Sequence, residues 1–256
     1  MNFKAAHYFI VGKLAFFVKL GFLAYSKGIS FLSLKPGINI LISNRQDWAG
    51  HIKIGFIFTG HELTFDELPQ RDLKNYDLVL PLTIPDLLYL TEISDPISDN
   101  PIPIPDKKSI LLCDDKYLFN QTMINSDFAH FIPAMGEMRS YPYMLKKKVG
   151  ECGQNCHIIH SETEEKSFMG MINSSDYFTQ EIICARKEYA THILFKDQQI
   201  IASLNIKYVF DQPISIKGRD RYLYQIVTRC AYLDIFSAML KCIQFEGLCC
   251  INYKSS

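Results

Sequence analysis

Prolines fall at every second position in "DNPIPIPDKKS", residues 99 to 109. Such a run lacks backbone donors and fixes φ, so it can enter neither a central strand nor a helix interior. It reads as a linker, and it divides the 256-residue chain into 1–35, an apolar N-terminal helical segment, a unit over 36–105, and a larger unit over 106–256.

The segment "YFIVGKLAFFVKLGFLAY" (8–25) is long and apolar but carries Lys13 and Lys19. A spanning helix would place both ammonium groups in hydrocarbon, at a cost of about 2.5–3.5 kcal/mol each. A helix packed on the protein or on a partner, or one lying on a membrane surface, fits the lysines better than a span. The formal net charge of zero supplies no global attraction to nucleic acid. The 8 cysteines are scattered through apolar runs of a chain large enough to need no staples, which suits reduced thiols and a cytoplasmic protein.

The fold class expected is α/β (α+β). "GINILISN" (37–44) and "IKIGFIFTG" (52–60) have the look of short apolar strands. "NYDLVLPLTIPDLLYL" (75–90) reads as a strand, a proline break and a helical turn. In the second unit, "SILLC" (109–113) is expected as a strand and "DDKYLFNQTMINSDF" (114–128) as a helix opened by capping acids. Strands follow at "YPYMLK" (141–146), "CHIIH" (156–160) and "DYFTQEII" (176–183). Residues 188–210 form a hairpin turning at Asp197 to Gln199. "YLYQIVTRCAYLDIFSAMLKCI" (222–243) has helical spacing, and "GLCCINYKSS" opens one more strand before the sequence stops.

Chemistry concentrates in "KKKVGECGQNCHIIH" (146–160). Its cysteines and histidines invite a zinc reading. Strand alternation, however, sends Cys156 and His160 to one face and His157 to the other, and the usual ligand spacings are absent. The phosphate reading uses more of the letters. Gly150 and Gly153 let the backbone turn its N–H groups on an anion, and Lys146 ends the preceding strand within reach of it.

With these elements in order, "DDK…YPYMLKKKVGECGQNCHII…YFTQEII…KEYATHILF…IKY…GLCCINYK" resembles the ATP-grasp family over roughly residues 109–254. The preceding unit resembles the Rossmann-like domain that commonly precedes it. The resemblance implies ATP and Mg2+ as cofactors. It implies phosphate-binding lysines at Lys116 and Lys146, with a glycine loop over Gly150 to Asn155. A hinge at Gln180, Glu181 and Ile183 would read adenine through the main chain, and Glu188 would hold the ribose. Lys207 would be a further phosphate contact. The activity implied is joining a small carboxylate to an amine or thiol through an acylphosphate; the alternative is a nucleotide-binding pseudoenzyme or subunit without turnover.

Asn252 stands where the family commonly has an aspartate as metal ligand, and the strand carrying the remaining metal ligands would lie past Ser256. On this reading the domain is incomplete at its C-terminal strand, and a second copy or a partner chain could complete the sheet. Arg45 and Trp48 in "SNRQDWAG" (43–50) and Arg219 and Arg221 in "KGRDRY" (217–222) are weaker candidates for holding an anionic substrate. Each site residue also has a plainer reading, Lys116 as a helix-start residue, Glu188 and Lys207 as edge-strand charges.

Overall fold

The computed structural model describes residues 37–57, 59–93, 102–137, 140–150, 153 and 155–255. The apolar segment 8–25, residues 99–101 of the proline linker and Cys152 lie outside them. The described chain forms two compact units, one running to Asp86 and the other holding residues 87–93 and 102–255.

The first unit is a three-stranded sheet of β1 (Asn39–Ser43), β2 (Glu62–Asp66) and β3 (Leu78–Leu80) in the order β2-β1-β3. Both pairings are parallel, with Leu41 opposite Thr64 on one side and Val79 on the other. Ile40, Leu41, Ile42 and Val79 are buried, as an apolar central strand requires. Parallel neighbours need a crossover, and helix α1 (Gln46–Phe56) supplies it. The strand expected at 52–60 is therefore mostly helix. Its alternating "IKIGF" is too short to separate the two periods, and β2 itself lies in the more polar "ELTFD". After β3 the chain enters α2 (Ile84–Glu92), past the proline break.

The second unit takes in α2 from Leu87 onward and, past Ile102, continues with α3 (Lys107–Asp114) and α4 (Lys116–Met123). The strand expected at 109–113 is a helix because Asp106 caps it, its carboxylate accepting from the Ser109 N–H at 2.6 Å. Asp115 caps α4 in the same way through the N–H groups of Tyr117 and Leu118.

An antiparallel sheet follows, β4 (Tyr143–Lys147), β5 (Cys156–Ile159) and β6 (Tyr177–Glu181), ordered β5-β4-β6. Helix α5 (Glu162–Ile172) covers one face, packing Phe168 and Ile172 on Tyr143, Leu145 and Ile159. Its start is a variant of the capping box: Ser161 accepts from the Glu164 N–H, and Glu164 accepts from the N–H of His160, one residue ahead of the cap.

The larger sheet holds β7 (Lys187–Lys196), β8 (Gln199–Phe210), β9 (Tyr222–Thr228) and β10 (Gly247–Lys254), all antiparallel, ordered β10-β7-β8-β9. Asp197 and Gln198 turn the β7–β8 hairpin at positive φ of 51 and 59°, as tight hairpins demand. Helix α6 (Leu233–Cys242) packs on one face around Ile193, Phe195, Phe236, Met239 and Leu240. Residues 222–243, expected as one helix, thus split into β9 and α6. The β-branched and tyrosine-rich first half pairs with β8, Tyr208 facing Gln225. Among the described residues, no helix is long and apolar enough to cross a membrane.

Candidate functional site

Register decides which side chains of the larger sheet share a face. Thr191, Ile193, Asn205, Cys249, Ile251 and Tyr253 alternate onto the side of α6. Glu188, His192, Tyr208, Cys250, Asn252 and Lys254 occupy the opposite, open face, with Glu188 directly across from both Lys254 and Tyr208.

A cluster of cations gathers at the Glu188 end of this face. Lys254 Nζ lies 4.0 Å from Glu188 Oε2, with side chains only 15% and 12% exposed, and it donates to the Ser215 carbonyl at 3.0 Å. Lys217, in the connection between β8 and β9, sits 5.0 Å over the Tyr208 ring and donates to Asn252 Oδ1 at 2.6 Å. Lys146, at the end of β4, donates to the buried Gln180 Oε1 at 2.6 Å. Lys116, in the first turn of α4, donates through Nζ to the Gly150 carbonyl, while its own N–H bonds the Lys148 carbonyl at 2.9 Å.

These groups feel one another. Burial pushes Lys146 below the ordinary lysine range; Cys156 and Glu188 oppose that shift, and Lys116 and Lys254 add to it. Burial pushes Glu188 up, opposed by Lys254, Lys217 and Lys146. Lys254 is lowered by burial, with Glu188 pulling the other way. The arrangement concentrates positive charge in a half-desolvated place, where an anion is bound more strongly than in water.

The glycine loop closes onto the same region. Gly150 and Gly153 adopt φ of 145 and 70°. A Cβ on Gly153 would lie 2.6 Å from Ile216 Cγ2 and 2.7 Å from the Lys217 carbonyl oxygen, so only glycine allows this approach to the Lys217 connection. That connection is tied down elsewhere, the Ile216 N–H donating to Asp220 at 2.7 Å and Arg219 to the Cys156 carbonyl at 3.0 Å. Ser215 Oγ is buried without a hydrogen-bond partner.

Of the residues singled out in the sequence, Lys116, Lys146, Gln180 and Glu188 are brought together with Gly150 and Gly153. Glu181 ends β6, its N–H bonded to the Ala134 carbonyl at 2.8 Å, and Ile183 follows it, exposed. Lys207 is placed otherwise. It stands opposite Tyr189 on β7, on the face away from Glu188 and Asn252, because a side chain's face changes at every step along a strand. The cluster takes Lys217 and Lys254 instead. Neither matched a short motif, although the alternation of Asn252 and Lys254 could have revealed the latter.

The histidines of the puzzling loop have other occupations. His157 packs its ring 4.8 Å from that of Phe168, and the N–H of His160 joins the capping box. Asn252, expected as a magnesium ligand, already gives its amide oxygen to Lys217. Its neighbours on that face are Cys250 and Lys254 along β10 and, diagonally on β7, His192 and Glu188, with Cys250 Sγ lying 3.9 Å from His192 Nε2 and Glu188 paired with Lys254. Magnesium takes oxygen, with carboxylates foremost, and among the described residues around Asn252 the amide and the Glu188 carboxylate are already engaged by lysines, so these donors do not fit it. Among the described residues no three of His, Cys, Asp or Glu gather to hold a metal ion. In the first unit, Arg45 stacks 4.5 Å over Trp48 and pairs with Asp47 at 3.3 Å.

No protein-family model matches this chain, and no curated protein matches it. Solved structures do. The chain is similar to D-alanine–D-alanine ligase from Bacillus anthracis complexed with ATP, at 13% identity and TM-score 0.57, covering 87% of this chain and 83% of the ligase. It is similar to the biotin carboxylase domain of 2-oxoglutarate carboxylase from Hydrogenobacter thermophilus in complex with MgADP, at 14% identity and TM-score 0.57, covering 85% and 61%. N5-carboxyaminoimidazole synthetase from Staphylococcus aureus complexed with ADP aligns at 16% identity and TM-score 0.51, covering 86% and 67%. All are ATP-grasp enzymes. The chain has the ATP-grasp fold.

Proposed function

We propose that this ATP-grasp chain binds ATP in its second unit and serves an ATP-dependent, ligase-like reaction. The observation that carries the reading is the meeting of Lys116, Lys146, Lys217 and Lys254 beside Gly150 and Gly153. A polyphosphate supplies several negative charges in a row, and lysines presented from several elements can follow it as point charges. Lys116 now holds the Gly150 carbonyl. An arriving phosphate would take over that ammonium.

The remaining parts of the reading follow from position. Glu188 accepts hydroxyl protons, which suits a ribose. The Glu181 carbonyl and Ile183 N–H at the hinge suit the edge of adenine. In the ligation chemistry, an oxygen of a small carboxylate attacks the terminal phosphorus and ADP departs. An amine or thiol then attacks the acyl carbon, and phosphate leaves. The protein's part is charge neutralisation and positioning. A second reading, nucleotide binding without turnover, draws support from Asn252, whose neutral amide is engaged by Lys217.

Calorimetric titration of the chain with ATP tests the proposal. Micromolar binding weakened at least ten-fold by Lys146→Ala, about 1.4 kcal/mol, is the expected result. A folded protein with no ATP binding would overturn it.

A further inference from the structure

The end of β10 is where a divalent cation would have to sit if Asn252 were its ligand, and that place is built for an ammonium. Lys217 reaches Asn252 Oδ1 at 2.6 Å while its charge rests 5.0 Å over the Tyr208 ring, a face that attracts cations. Its connection is held by the Asp220 and Arg219 hydrogen bonds and by the close approach of Gly153. The lysine is therefore part of a fixed arrangement rather than a side chain resting on the surface. The nearest carboxylate on this face, Glu188, is shared with Lys254 at 4.0 Å. A dication at Asn252 would meet the ammonium of Lys217, would find among the described residues no carboxylate beside it that is not already paired with a lysine, and would have the thiol of Cys250 and the imidazole of His192 as its other neighbours.

We propose that the Lys217 ammonium, seated on Asn252, supplies the phosphate-neutralising charge at this end of the site, so that the chain binds a nucleoside polyphosphate without a divalent cation at Asn252. This rests on the ATP-binding reading above. It assigns a different counter-charge from the magnesium expected at Asn252 from the sequence. Neutralisation by an ammonium on a short loop and by a hydrated dication on carboxylates are alternatives for one space. The residues around Asn252 hold the first.

Calorimetry of the full chain with ATP, once in excess Mg2+ and once in EDTA, separates the possibilities. The expected result is an affinity in EDTA within about three-fold of that in Mg2+, or tighter, because the free polyphosphate is the species the lysines match. Lys217→Met should weaken binding at least ten-fold in EDTA, and Lys217→Arg, which keeps the charge, should restore most of it. ATP binding that falls ten-fold or more in EDTA would overturn the inference while leaving the nucleotide reading intact. So would Lys217→Met with unchanged affinity in EDTA. Absence of ATP binding in both conditions would overturn the nucleotide reading and this inference with it. The wild-type comparison decides even if Lys217→Met does not fold, and thermal melting by circular dichroism reports whether it does.

Discussion

Lys146 and Gln180 are diagonal neighbours on adjacent strands, and the ammonium of the first donates to the amide oxygen of the second at 2.6 Å. Gln180 is only 3% exposed, so this contact holds the lysine where solvent is scarce. Removing the acceptor leaves a charged donor short of a partner, at a cost of about 1–3 kcal/mol. Gln180→Leu should therefore lower the unfolding free energy measured in urea by that amount. Lys146→Met in the same chain should recover most of the loss, because the orphaned charge is gone. Strictly additive effects of the two substitutions would show that the contact carries no coupling.

The same burial makes binding depend on pH. In the free protein Lys146 is lowered by desolvation, with Lys116 and Lys254 adding to the shift. A bound polyphosphate favours the charged form and returns the pKa toward the ordinary lysine value. Binding thus takes up a proton between the lowered pKa and the restored one, and affinity falls as pH rises through that window. Titrations in buffers of different ionisation enthalpy should show net proton uptake that rises through the lowered pKa, peaks between the two values and falls again above the restored one, and that is smaller in Lys146→Met. Proton release on binding would contradict the assignment.

The larger part of the second unit's architecture was legible because its signals are local. The hairpin turn at Asp197 and Gln198, the strands on either side of the glycine loop, and the cap at Asp115 are each written in a few adjacent residues. What was not legible depended on partners far along the chain. "IKIGF" became helix because β1 and β2 run parallel and need a crossover. "YLYQIVT" became a strand because β8 offered it an edge. Helix α5 went unread, although Ser161 and Glu164 of its capping box stand in the sequence. The lysines of the site divide in the same way. Lys146 sits in a local strand-and-glycine pattern, whereas Lys217 joins only because the connection after β8 folds back over Tyr208 and Asn252.

Lys207 and Lys217 therefore make a matched pair for mutation. Lys207 faces away from Glu188 and Asn252, so Lys207→Ala should leave ATP affinity within about two-fold, while Lys217→Met weakens it at least ten-fold, about 1.4 kcal/mol. Equal losses from both would mean that the face assignment of β8 is wrong.

Gly153 and Gly170 make another. Gly153 has φ of 70° and faces Lys217 and Ile216 at less than a Cβ contact distance. Alanine there brings about 1–2 kcal/mol of left-handed strain and pushes the glycine loop off the Lys217 connection. Gly170 lies within α5 with nothing near its would-be Cβ, and alanine there should stabilise the protein by roughly 0.5–1 kcal/mol. Gly153→Ala should lose both stability and ATP affinity; Gly170→Ala should gain stability with affinity unchanged. A Gly153→Ala protein as stable and as tight as the wild type would remove the loop contact from the site.

The Glu188–Lys254 pair sets the pH response of the fold itself. Glu188 is raised first by burial, and Lys254 is the largest influence holding it down. An acid whose folded pKa exceeds its unfolded value keeps its proton longer in the folded state. Its contribution to stability is greatest below the unfolded pKa and declines as pH rises to the folded one. Lys254→Met removes the main opposing charge, so Glu188 should move further up and the declining window should widen toward neutral pH. Lys254 has the opposite sign. Its folded pKa is lowered by burial, so in the wild type its contribution to stability rises with pH in the alkaline range, and the variant should lose that rise. Urea unfolding at a series of pH values checks both ends, with Glu188→Gln in the Lys254→Met background as the control that should abolish the acidic-side decline. A Lys254→Met protein whose stability profile follows the wild type throughout would show that the 4.0 Å pair does not govern Glu188.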